Sequence, residues 1–94
     1  MVFLSVCGIR VDDAKVSVHD TLEQARAECI KQSIKFLNCE IQLTQHYVKN
    51  ETSKLLHIST LESRKNIIQQ HDFKDFPIRL YSRSKEYVAK ILSS

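Results

Sequence analysis

Apolar residues recur along the whole chain, but their spacing switches several times between every second position and every third or fourth, the signature of a mixed α+β fold. Residues 2–11 are apolar at nearly every position and rich in β-branched side chains, which predicts a strand covered on both faces. Asp12 and Asp13 suit the turn that follows. Lys15–His19 then alternates, predicting the second strand of a hairpin with Val16 and Val18 inward and Ser17 and His19 outward.

Two overlapping helix starts come next: an Asp20 cap answered by Glu23, or a Thr21 cap answered by Gln24. The helix they open carries Leu22, Ala25, Cys29, Ile30, Ser33, Phe36 and Leu37 on one broad stripe. It is predicted to end near Asn38, a residue that tolerates the left-handed conformation. Alternation resumes over residues 40–48 and 54–60, on either side of Asn50, Glu51, Thr52 and Ser53, and predicts a second hairpin. A four-residue loop there pairs Tyr47 with Leu56 and, on the opposite face, His46 with His57. Ser59 and Glu62 cap a short helix to about His71, followed by a loop with two aromatic anchors, Phe73 and Phe76. Residues 77–82 read as an edge strand, because Pro77 donates no ladder hydrogen bond. Tyr87, Val88, Ile91 and Leu92 lie at helical spacing and predict a last helix capped by Ser82 or Ser84. The expectation is one small α+β domain over residues 1–94 in the order ββαββαβα. About five strands, antiparallel or mixed, are packed by one long and two shorter helices.

Composition narrows the chemistry. Gly8 is the only glycine and Pro77 the only proline. One glycine builds neither a phosphate-cradling loop nor a dinucleotide fingerprint, so nucleotide enzymes are disfavoured and no cofactor is expected. Cys7, Cys29 and Cys39 are odd in number and form no Cys-x-x-Cys pair. They read as reduced thiols of a cytoplasmic protein, with Cys7 and Cys29 in the core. The apolar opening run is too short for a membrane span and lacks a basic leader, so no membrane partner is expected.

Three surfaces are candidates for function. His46 and His57, joined by His19, would form a histidine face able to hold a metal or respond to pH. Ordinary solvated histidines compete with that reading, since spacing fixes no third ligand, and no metal is assigned. The net charge of +3 is mild, but seven of the fourteen Lys and Arg residues fall in residues 64–94. Arg79 and Tyr81 on the last strand, with Arg83 and Lys85 just beyond, would contact phosphates or stack on bases. The same residues would equally serve to solvate an edge strand. Phe73 and Phe76 are partner-binding anchors if exposed and core plugs if buried. A small Cys/His-dependent enzyme has only Cys39 and His46 to draw on. The expected function is a non-enzymatic binding module that touches a protein partner with its surface, with homodimerisation through an edge strand open to it. By association, such chains include accessory or inhibitory factors of phage or viral type. The alternative is a nucleic-acid-binding protein using the basic C-terminal segment.

Overall fold

The computed structural model describes residues 2–9, 14–74, 77–82 and 85–93. Six elements follow in the order ββααββ: β1 (Phe3–Gly8), β2 (Lys15–His19), α1 (Leu22–Tyr47), α2 (Glu51–Gln70), β3 (Ile78–Ser82) and β4 (Lys85–Ser93). The strands make one antiparallel sheet in the order β2-β1-β4-β3. The α+β class and the first hairpin agree with the sequence expectation, and the strand after Pro77 is indeed at an edge. The five strands and the ββαββαβα order do not hold.

The first departure is at residues 40–48, where α1 continues as helix to Tyr47 in place of the expected strand. The reason lies in its buried stripe. Ala25, Cys29, Ser33, Leu37, Ile41 and Thr44 recur at steps of four and then three, and all are buried. Neither glycine nor proline interrupts them. The buried Thr44 hydroxyl is satisfied within the helix, donating to the Glu40 carbonyl at 2.8 Å. Asn38 is not a cap; its side-chain oxygen accepts from Lys65 Nζ at 2.9 Å and ties α1 to α2. At the N-terminus the Thr21 option is the one realised. Its hydroxyl accepts from the Gln24 N–H, and the Gln24 carboxamide accepts from the Asp20 N–H, both at 3.2 Å.

The expected strand over 54–60 is likewise helix. Asn50 caps α2 by accepting from the Ser53 N–H at 3.1 Å. Lys54, Ile58, Leu61, Lys65 and Ile68 then run at alternating steps of four and three, and each is buried or half-buried. That spacing gives a seam of the kind that packs one helix along another. The last helix is in fact β4. Tyr87, Ala89 and Ile91 are buried at period two, and β4 is hydrogen-bonded to β1 on one side and β3 on the other.

The faces of β2 are inverted relative to expectation. Directly paired residues share a face. Ser5 and Cys7 of β1 turn toward α1, so their partners Ser17 and Lys15 do too. Val16 and Val18 therefore point away from the helices and are 57% and 66% exposed.

Two contacts fix the return from α2 to the sheet. Arg26 of α1 donates from Nε to the His71 carbonyl at 2.7 Å and from Nη2 to the Gln69 carbonyl at 2.6 Å. These bonds satisfy carbonyls at the end of a helix that has no basic residue in its own last turn. Phe73, fully buried, sits at φ 64°, a conformation costly for a non-glycine residue. Its carbonyl accepts from the Ile91 N–H at 3.1 Å and its N–H donates to His71 Nδ1 at 2.9 Å. Burial of the ring and these two bonds hold it there. Phe73→Ala is expected to lower stability by about 3–5 kcal/mol, and Arg26→Ala by about 1–3 kcal/mol, both read from denaturant midpoints at unchanged slope.

Candidate functional site

Helix α1 lies across one face of the sheet with α2 packed against it, and no described element covers the other face. The register sets the side chains of this open face in rows. Val18, Leu4 and Leu92 lie side by side, then Val16, Val6 and Lys90, then Gly8, Val88 and Arg79, and last Glu86 beside Tyr81. Six of these positions are aliphatic and contiguous, with Leu4, Val6 and Val88 half-buried and Leu92 44% exposed. Gly8 has no side chain to fill its place in the third row. A hollow of about 520 Å³ opens there, walled by Val6, Ile9, Ala14 and Val88 and flanked by Arg79, Lys90 and Glu86. The Arg79 guanidinium stands 4.0 Å from the Glu86 carboxylate. Both are well exposed, so this pair contributes little and leaves Arg79 free to swing.

A second cleft, of about 470 Å³, lies on the helix side, where α1 outruns the end of the sheet. Cys7 and Tyr87 lie at its floor, Phe36 and Leu43 wall it, and Lys15, Lys35 and Lys85 stand around it. Beneath it the sheet and α1 meet through polar pairs. Cys7 Sγ is hydrogen-bonded to Cys29 Sγ at 3.7 Å and Ser33 Oγ to Tyr87 Oη at 3.1 Å, while within the sheet Ser5 Oγ is hydrogen-bonded to His19 Nε2 at 3.0 Å. Phe36 stacks on the Tyr87 ring with centroids 4.8 Å apart. The shared hydrogen bond draws ionisation of the thiol pair to Cys7, whose pKa is lowered, while the same bond and burial push Cys29 up. Burial also raises the Tyr87 phenol, partly opposed by its bond to Ser33.

The residues singled out from the sequence scatter over this frame. Arg79 and Tyr81 share the open face, both about 62% exposed. Lys85 projects on the helix side with Tyr87 and Ala89, so the basic segment does not converge on one surface. Arg83 and Phe76 lie outside the described residues. Phe73 is a core plug and offers no anchor. The histidine face does not form. His46 ends α1 with its ring edge-on to Tyr47, His57 is exposed on α2, and His19 on β2 bonds Ser5. Among the described residues no three His, Cys, Asp or Glu side chains gather to hold a metal ion. Cys39 is exposed, as expected, but it lies within α1. His46 is two turns along the same helix, roughly 10 Å away by helical rise, so the two do not form a nucleophile–base pair. Among the described residues no helix is long and apolar enough to cross a membrane.

The alternation of β2 does not show which side faces the core, so Val16 and Val18 fall on the open face and not inward. A signal for it existed in β1, whose unbroken apolar run asks for cover on both sides. No family model, curated protein or solved structure matches the chain.

A pH dependence follows from Tyr87. Its phenol titrates higher in the folded chain than unfolded, so above about pH 10 the unfolded chain releases a proton that the native state keeps. Stability is expected to fall as pH rises through that range. Tyr87→Phe should flatten the fall, as measured by denaturant midpoints across the alkaline range.

Proposed function

We propose that this chain is a non-enzymatic binding module that docks a protein partner on the open face of its sheet, in the manner of an accessory or inhibitory factor. The observation that carries the proposal is the contiguous aliphatic face of Leu4, Val6, Val16, Val18, Val88 and Leu92, left uncovered by the chain's own helices. A contiguous aliphatic face left open to water by the chain's own elements is the kind of surface that marks a protein interface. The hollow at Gly8 refines the partner's chemistry. It takes an apolar side chain, and Arg79 and Lys90 beside it, which together outweigh the one anion there, Glu86, favour a single carboxylate next to that anchor. The partner is thus a protein surface that presents an aliphatic or aromatic residue flanked by Asp or Glu.

Nucleic-acid binding through Arg79, Tyr81 and Lys90 remains the second reading, supported by their shared face. It is weakened by Glu86, which stands beside both Arg79 and Tyr81 and repels phosphate.

The two separate in one experiment. Peptides selected from a random display library on the immobilised protein should be enriched in apolar residues next to acids. Val16→Asp with Val18→Asp should weaken their binding by about 10–100-fold, because charge is buried against an apolar anchor, with the thermal transition unchanged. Arg79→Glu should weaken it less. Equal binding to the wild type and the double aspartate variant would sink the proposal. Oligonucleotide retention that is lost on Arg79→Glu but kept in the aspartate variant would establish the second reading instead.

A further inference from the structure

We propose that Cys7 and Cys29 are a redox pair that closes to an intramolecular disulfide when the protein meets a peroxide, tying the central strand β1 to helix α1. The two sulfurs lie on different elements, 22 positions apart in sequence and 3.7 Å apart in space. Closing to a bond of about 2.05 Å brings the sulfurs together by a further ~1.6 Å. The flanking positions are small: Ala25 and Ser33 lie one turn either side of Cys29, and Ala89 is the strand partner of Cys7. Cys29 Sγ has one further partner, the Lys90 carbonyl at 3.6 Å, which is a weak contact to give up.

The roles of the two thiols differ. Cys7 lines the cleft at the end of the sheet and is reached from solvent through it, whereas Cys29 is fully buried behind it. Cys7 is also the member of the pair to which ionisation is drawn, since the Cys29 S–H donates to it once it is a thiolate. Lys15 stands at the same cleft, 3.9 Å from the Glu28 carboxylate, and offsets only in part the opposition of that carboxylate to the anion, so the bond from Cys29 is what favours the Cys7 thiolate. The Cys7 thiolate attacks one peroxide oxygen, the O–O bond breaks, and hydroxide leaves to become water with a solvent proton. Cys7 is then a sulfenic acid. Cys29 sulfur attacks Cys7 sulfur, the S–O bond breaks, and the hydroxyl departs as water with the Cys29 proton. Two thiols and one hydrogen peroxide become one disulfide and two waters; two electrons pass from sulfur to oxygen. Cys39 lies along the same cleft but on the exposed side of α1, and it remains a thiol.

The test is oxidation of the purified protein with stoichiometric hydrogen peroxide, followed by denaturation, alkylation and non-reducing peptide mapping. The expected product is monomeric and lighter by two hydrogen atoms before alkylation. It takes up one alkyl group, on Cys39, and yields a Cys7–Cys29 linked peptide. Its thermal midpoint rises by about 10 °C, and dithiothreitol reverses the rise. Cys29→Ser should leave Cys7 as a sulfenic acid that dimedone captures. Mapping of the wild type decides the matter if that variant does not fold. Three alkylated cysteines after oxidation, or linkage through Cys39 with Cys7 and Cys29 still free, would overturn the proposal.

Discussion

The close approach of α1 to the sheet is the constraint on which the rest of the fold depends. Ala25, Cys29 and Ser33 are spaced by four residues and have almost no exposed surface. Opposite them the sheet offers Ser5, Cys7 and Ala89, which are equally small. Small side chains on both sides bring helix backbone and strand backbone near one another, and the polar atoms that this buries are paired across the gap. Among the described residues no buried side-chain nitrogen or oxygen is left without a partner. Larger residues fill the space only further along, where Phe36 meets Tyr87 and Leu37 and Ile41 join the core.

That seat fixes everything downstream. With α1 placed, its other side presents Arg26, Ile30, Ile34 and Asn38 to α2, and α2 is held through Lys65 at its middle and Arg26 at its end. The end of α2 in turn delivers Phe73 into the core and sets its carbonyl against β4. β3 is therefore added on the far edge of β4, and β1 and β4 become the two inner strands. The thiol pair sits in the tightest part of this junction, between an inner strand and the helix laid across it.

How much of this the sequence disclosed depended on whether local pattern and long-range packing agreed. The first hairpin, the start of α1, the burial of Cys7 and Cys29 and the edge position after Pro77 were legible because turn residues, caps and proline act locally. Residues 40–48 were not, because Ile41, Leu43 and Tyr47 alternate as a strand would, while Leu37, Ile41 and Thr44 continue a helical stripe. A helix already running, with no breaker in its path, wins that contest, since each added residue extends an existing ladder at little cost. In β4, Tyr87, Val88, Ile91 and Leu92 satisfy both periods. Only the vacancy between β1 and β3 decides for strand, and that vacancy is a property of the whole fold. The histidine face failed with the hairpin it was built on. The open sheet face is not legible in the sequence, because a two-residue alternation gives the period of a strand but not which side faces the core.

The proposed docking surface is favoured by a comparison of the sheet's faces with its edges. Both edge strands, β2 and β3, are only five residues long. β2 starts at exposed Lys15, and β3 follows Pro77 and carries exposed Arg79. Short length, charge and proline blunt an edge against pairing with another chain. The open face has one such guard over the rows of Leu4 and Val6, where Lys90 is the one charge among five aliphatic side chains. Guarded edges and an apolar face together support the proposed docking on the face over pairing at an edge. The single glycine, placed on that face at the end of β1, adds a recess where a side chain would otherwise have filled the row.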